Sequence, residues 1–530
     1  MSSRVVLLDE PRLEFRHGQF LEDPHDGLSL FGPYGIEVSS HPKNLTIGVI
    51  GTPEGVQAFN RWCKVVRGAV YPGDDLNIHL WPIFPGFEGA FCSDLPREAA
   101  WSCELDSEKL KQESIQRDPN KRAAGVVEQY LTAIKKTEKK EEPFGVLVCV
   151  VPDFVWRNCR PESFVPGATG KGISRKEREL RAGGQTDFFD SYNPEIYAYS
   201  VDFRRQLKAR SMEFRVPIQI VRECRLEVDP QKWPRFQSPP SDVAWNLLTT
   251  MYYKSGGKPW RLAGAREGVC YIGIVFRKTD PTVANRTACC AGLMFLDSGD
   301  GVVFLGEYGP WYSPENNQFH LSPSAAQQLL AGTLKTYREL EGKPLKEIFL
   351  HCRSSIHREE FEGFKAACPT GVKLAGIRVR KDFDGMRLFR EGTRPVVRGS
   401  LLSAGPRLGY LWASGFTPRL RTYPGWEAPV PLKIDIQQGE ADIEQVARDI
   451  LALTKLNYNA CRFGDSEPVT IGFSDAVAEI LVSNRFDLRH GKLVSAQKVG
   501  NNLQTITAEN PHKPCYNMRE RPKDMDETTT

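Results

Sequence analysis

The stretch KEIFLHCRSSIHREEFEGF, Lys346 to Phe364, decides the fold. Ile348, Phe349 and Leu350 form a short apolar run that reads as a buried strand, and "REEFEGFKAA" behind it has the spacing of a helix. Toward the N-terminus, the spacing of Leu329, Leu330, Leu334 and Tyr337 predicts a long amphipathic helix over about Ser322–Glu341. Three apolar runs precede it, Gly268–Phe276, Ala291–Asp297 and Gly301–Glu307, and "SGDG" between the last two is a hairpin signal. Three strands, a crossover helix and a fourth strand are the order of a ribonuclease H-like fold.

The earlier half has another rhythm. "LTIGVIG" (Leu45–Gly51) is a buried-type strand, and Thr52-Pro53-Glu54 begins a helix. Gly48, Gly51 and Gly55 do not have the spacing of a dinucleotide fingerprint and read as turn glycines. Val126, Val127, Tyr130, Leu131 and Ile134 form one helical stripe, "FGVLVCVVPDFVW" supplies a strand, "DFRRQLKAR" a helix and "PIQIV" (Pro217–Val221) a further strand. This alternation over residues 45–260 predicts a Rossmann-like α/β unit. The expected division is a lead-in over 1–43, the Rossmann-like unit over 44–262, the ribonuclease H-like unit over 263–500 and a polar tail over 501–530.

Of the 530 residues, 40% are hydrophobic and 26% charged, as in ordinary globular proteins, and no run is long and apolar enough for a membrane span. Asp9 and Glu10 come too early for a secretory signal. The 13 cysteines include no CxxC pair, which predicts reduced thiols in a cytoplasm and no structural zinc. The net charge of +4 is unevenly spread. "RKERELR" (Arg175–Arg181) is diluted by Glu177 and Glu179, whereas "FRRQLKARSMEFR" (Phe203–Arg215) carries Arg204, Arg205, Lys208 and Arg210 before its first acid, Glu213. That density suits phosphate groups.

Nucleases of the ribonuclease H shape hold two Mg²⁺ ions with a carboxylate in the middle of the first strand and another at the end of the fourth. Val275 and Cys352 are expected at those places, and neither offers the oxygen a hard cation wants. As a nucleophile Cys352 would need a base. His351, its strand neighbour, points to the opposite face, and His357 would have to approach from the next helix.

These residues resemble those of the short prokaryotic Argonautes, which consist of MID and PIWI domains without PAZ. The likeness runs from about Leu8 to Arg489; "LDEPRLEFRHGQFLEDPHDGLSLFGPYG" resembles their opening segment and "PVTIGFSDAVAEIL" (Pro468–Leu481) the last PIWI element. The resemblance implies a guide 5′-phosphate pocket on Arg204, Lys208, Gln219 and Lys254, with Arg205 and Arg210 near the following phosphates. The spacing of Arg204 and Lys208 puts both on one helix face. It also implies a slicer site whose aspartate positions fall on Val275, Cys352 and near Asp475, so that only Asp475 keeps a carboxylate. The polar ending "NMRERPKDMDETTT" differs from the apolar tail that helps fix a metal at the guide 5′-end in long Argonautes. No cofactor is implied beyond Mg²⁺ accompanying bound nucleic acid.

The implied function is a guide-binding, target-sensing subunit without nuclease activity. A guide RNA pairs with single-stranded target DNA, and an APAZ-domain partner carries the effector, such as a NAD-depleting TIR or sirtuin-like domain, in abortive defence against plasmids and phages. The lead-in and the tail after Leu481, read as outside both cores, are the expected partner surface. Two alternatives stand beside this: a nuclease using Asp297, Glu307 and Asp475, and a scaffold without guide binding.

Overall fold

The computed structural model describes residues 4–481 except 38–40, 74–75, 140–143, 174–175, 178–179, 181–192, 194–195, 215, 230–231, 234–237, 279–286, 296–300, 306–310, 314–317, 340–343, 384 and 426. The chain opens with three short strands, β1 (Arg4–Leu7), β2 (Leu13–Glu14) and β3 (Phe20–Leu21), and helix α1 (Pro24–Leu30). A parallel sheet follows, made of β4 (Ile47–Gly51), β5 (Trp101–Glu104), β6 (Val146–Val151) and β7 (Ile218–Arg222) in the spatial order β5-β4-β6-β7. Helices α2 (Pro53–Val66), α3 (Phe87–Phe91), α4 (Ser107–Ser114), α5 (Pro119–Thr137), α6 (Asp153–Asn158) and α7 (Phe203–Ser211) lie along its connections. Every residue of β4 and β6 is buried, as expected of parallel strands covered on both faces.

Local chemistry sets the helix starts. Thr52 accepts from the Gly55 amide at 3.2 Å and Pro53 occupies the first turn of α2. Asp202 accepts from the Arg205 amide at 3.1 Å and so begins α7 where the basic cluster begins. The strand in "FGVLVCVVPDFVW" stops at Val151, because Pro152 lacks the donor a ladder needs and Asp153 starts α6.

Helix α8 (Pro240–Lys254) and β8 (Arg261–Leu262), which pairs with β2, lead to a second sheet. Its elements are β9 (Val269–Lys278), β10 (Thr287–Phe295), β11 (Gly301–Leu305), a small hairpin β12 (Tyr312–Ser313) and β13 (Gln318–Phe319) outside the sheet, α9 (Pro323–Glu339), β14 (Glu347–Cys352), α10 (Arg358–Ala367), β15 (Lys373–Lys381), β16 (Ser400–Gly405), β17 (Leu408–Leu411), β18 (Leu432–Gln438), α11 (Ile443–Leu453) and α12 (Val469–Leu481). The spatial order is β1-β16-β17-β18-β15-β14-β9-β10-β11. β9, β10 and β11 form an antiparallel meander, and α9 crosses over to set β14 parallel to β9, with Cys352 opposite Ile274. Helices α9 and α10 cover one face at β9 and β14, around Ile272, Ile274, Leu350 and Phe361. The other face is covered by α12, which approaches β9 so closely at Gly273 that a Cβ there would lie 1.8 Å from the Thr470 carbonyl oxygen.

One expectation is overturned here. The lead-in does not lie outside the cores: β1 is the edge strand of the nine-stranded sheet, with Val5 opposite Leu402, and Leu8, Leu13, Phe15 and Leu28 are buried. Glu10 accepts from Arg398 Nε at 3.0 Å and from Lys455 Nζ at 2.8 Å, both cations being buried. The apolar run Val5–Leu8, short as it is, finds a partner strand some 400 residues away in the chain. The tail after Leu481 lies outside the described residues. Among the described residues no helix is long and apolar enough to cross a membrane.

Candidate nucleic-acid interface

Three of the four pocket residues converge. Lys254, the last residue of α8, is 5% exposed, and its ammonium donates to the Ile218 carbonyl at 2.9 Å and to the Gln219 side-chain oxygen. Gln219 sits in β7 opposite Val148, its amide reaching the Ile220 carbonyl at 3.3 Å. Burial, and after it the charge of Arg204, push the Lys254 ammonium well below the usual lysine pKa. Both oxygens bonded to Lys254 are neutral, so they orient the ammonium without supplying the negative charge that would stabilise it. Lys208 lies one turn beyond Arg204 on α7 and is buried, while Arg204 is half-buried and brings the group to the surface. Positive charge is thus folded into the protein where α7, β7 and the end of α8 meet, an electrostatic arrangement that a phosphate would relieve.

Arg205 and Arg210 face elsewhere. Arg210 Nη2 donates to Glu128 at 2.7 Å and its guanidinium stacks over Tyr199 at 5.1 Å. Arg205 pairs with Glu479 of α12 and so ties the helix of the basic cluster to the second sheet.

At the second sheet the three expected aspartate positions do not form one group. Val275 is buried on the α12 face, to which Arg277 two residues on also points, since alternate strand residues share a face. Cys352 lies on the opposite face, 2% exposed, among Ile274, Ile356 and Phe361. Cys352 therefore does not share a face with Val275, because pairing with Ile274 gives it the orientation of Ile274. The residue at the end of β14 that reaches Asp475 is Arg353.

Asp475 is clasped by two guanidinium groups. Arg277 donates to Oδ1 through Nε at 2.9 Å and to Oδ2 through Nη2 at 3.0 Å, and Arg353 Nη1 donates to Oδ2 at 2.9 Å. Arg353 also holds Glu467 at 3.0 Å, and Arg277 lies 3.8 Å from Glu479. Burial alone would raise the Asp475 pKa, but the hydrogen bond from Arg277 and the charges of both arginines outweigh it and hold the carboxyl below its usual value. Two cations thus face this carboxylate directly. Among the described residues, no group of three or more His, Cys, Asp and Glu side chains could hold a metal ion. Asp297 and Glu307 of the alternative nuclease lie outside the described residues.

The surroundings of Cys352 disfavour its thiolate. Burial first, and Glu360 second, push its thiol well above the usual range. His351 bonds Thr470 Oγ1 at 3.0 Å on the other face, and burial lowers its pKa to about 3. His357 stacks on His320 at 3.3 Å and bonds Gln318 at 3.2 Å. Arg277 and Arg353 are what the reading of the sequence missed. Counting alternation outward from Val275 would have found the first; the second needs the pairing register of β14, which no local pattern carries.

A four-stranded Rossmann-like sheet joined to a ribonuclease H-like sheet is the MID–PIWI fold of Argonaute proteins. A Clostridium butyricum Argonaute bound to a guide DNA and a 19-mer target DNA is similar to the chain with a TM-score of 0.60 at 14% identity, over 92% of this chain and 54% of that one. Aa-Ago with externally bound siRNA follows at 0.53 and 14%, over 92% and 54%, and an Aquifex aeolicus Argonaute at 0.52 and 13%, over 90% and 53%. The chain thus spans about half the length of the solved Argonautes it matches. No protein-family model matches it, and no curated protein matches it significantly.

Proposed function

We propose that the chain is a guide-binding, target-sensing protein that does not itself cut nucleic acid. The observation that carries this reading is the buried group around Lys254, which concentrates cations on a neutral glutamine and a backbone carbonyl in a MID–PIWI fold. A 5′-terminal phosphate supplies up to two negative charges and several acceptor oxygens to such a group. Arg204, Lys208, Gln219 and Lys254 hold it. Pairing of the anchored guide RNA with single-stranded target DNA then reads sequence, as in other guided systems where the protein reads backbone and shape.

The non-cutting half of the proposal rests on Asp475. Two-metal hydrolysis needs several convergent oxygen ligands, and this carboxylate already serves two arginines, with Val275 beside them on the same face. Output then belongs to a partner chain: an APAZ-domain effector, of the NAD-depleting kind in the resemblance, switched on when invading DNA is recognised. The test is to load the protein with a short 5′-phosphorylated RNA and present complementary and unrelated single-stranded DNA in Mg²⁺. Selective retention of the complementary strand, uncut, is expected. Cleavage overturns the non-cutting half, and equal retention of both DNAs overturns the sensing half.

A further inference from the structure

We propose that the turn between Asp382 and Arg394 is a binding site for unpaired bases of single-stranded nucleic acid, with Phe383 and Phe389 as stacking platforms. β15 ends at Lys381, and the chain then folds back on itself through its own polar groups. Asp382 Oδ2 accepts from the Met386 amide at 2.9 Å, and Arg387 Nη1 donates to the carbonyls of Asp382 at 2.9 Å and Met386 at 3.1 Å. Arg387 also donates to the Phe383 carbonyl. A turn clasped in this way holds its outward side chains in place. Those side chains are apolar: Phe383 is 60% exposed, Met386 37% and Phe389 78%. Single exposed hydrophobic residues are common, but three within seven residues on a fixed turn form a patch that asks for an occupant.

The surrounding charge says which occupant. From Arg378 to Arg394 there are six Arg or Lys against three Asp or Glu, nearly the charge excess of the entire chain. Arg390 and Arg394 are exposed, with guanidinium groups 5.2 and 4.5 Å from the centre of the Phe416 ring. Arg390 Nε donates to the Arg394 carbonyl at 3.2 Å, and the ring holds both exposed guanidinium groups in place. Aromatic residues, Met and Arg also gather at protein–protein contacts, but the net positive charge of the turn and the alternation of aromatic faces with arginines match phosphates alternating with bases. Position agrees. β9, β14 and β15 run parallel, so their ends at Lys278, Cys352 and Lys381 lie along one edge of the sheet, the edge carrying Arg277 and Arg353. Ligands of parallel sheets gather at that end of the strands.

This inference rests on the proposed nucleic-acid function and adds to it a second contact, distant in the chain from the phosphate pocket. The test uses the full chain, a single-stranded DNA carrying 2-aminopurine, whose fluorescence is quenched on stacking, and a short RNA with or without a 5′-phosphate. Wild type is expected to quench the probe. Phe383→Ala with Phe389→Ala abolishes the quenching and weakens DNA binding by about thirtyfold or more, while melting temperature and preference for the 5′-phosphate stay unchanged. Arg390→Gln with Arg394→Gln lowers the slope of log affinity against log salt by about 1.4, the value for two phosphate contacts to a single strand. Unchanged quenching and affinity in the aromatic variant, with the 5′-phosphate preference intact, overturn the inference and leave the guide reading standing. Loss of quenching in that variant without any 5′-phosphate preference in wild type upholds the turn and overturns the guide reading. An aromatic variant that binds DNA normally but loses a co-purifying protein marks a protein-docking turn and overturns the inference.

Discussion

At the scale of the residue, a lysine ammonium whose bonded oxygens are neutral is costly to bury, and Lys254 carries that cost. Its pKa is lowered in the folded protein, by burial first and Arg204 next, so protons distinguish its states. Between the folded-state pKa and the unfolded value of about 10.4, the unfolded chain holds the extra proton. The contribution of Lys254 therefore makes stability rise with pH across that window. Phosphate binding has the opposite sign, because a nearby anion raises the pKa and draws a proton in. Affinity for a 5′-phosphorylated RNA is expected to fall as pH rises through that window, and Lys254→Met to remove most of the dependence. Titrations from pH 7 to 9.5 at fixed salt check this; equal slopes in wild type and variant contradict it. The basic run marked α7 in the sequence, but nothing there distinguished Arg204 from Arg205. A hundred degrees of helix rotation sends one toward Lys254 and the other to Glu479.

At the scale of the element, the contact of α12 with β9 holds the second site together. Gly273 is the point of closest approach, and Ser474 Oγ donates to its carbonyl at 3.4 Å. Gly273→Ala forces the helix outward, with a cost of about 1–3 kcal/mol for overpacking. The same shift loosens the grip of Arg277 on Asp475 and of Arg205 on Glu479. Urea unfolding is expected to show that loss, and an unchanged midpoint would mean that α12 does not sit on Gly273. The strands and crossover helix of this half were legible because each carries its own period: alternation or an apolar run for β9 and β14, a 3.6-residue stripe for α9. Which face a strand-end residue takes was not legible. It depends on register against a strand 78 residues earlier in the chain, and a one-residue slip moves Cys352 and Arg353 to opposite faces.

At the scale of the whole molecule, the N-terminal segment binds the two halves into one body. β1 extends the second sheet, β2 pairs with β8 after the first, and Glu10 lies between the buried cations Arg398 and Lys455. Glu10→Gln leaves both cations without their carboxylate and is expected to cost about 3–5 kcal/mol, read as a lowered melting temperature. A change within error would show that the segment is held by β1 alone. The two-sheet architecture was legible because buried parallel strands are long apolar runs; the place of β1 was not, since a four-residue strand acquires meaning only from a partner across the whole chain. Competition between two short RNAs identical except for a 5′-phosphate or a 5′-hydroxyl, on wild type and on Lys254→Ala, decides whether the buried lysine serves a guide. Because the ratio of the two affinities is read within each protein, a small loss of stability cancels. A preference in wild type of about 1.5–3 kcal/mol, the scale of hydrogen bonds to charged groups, that collapses in the variant is the predicted result. Equal binding of both RNAs by wild type would contradict the account.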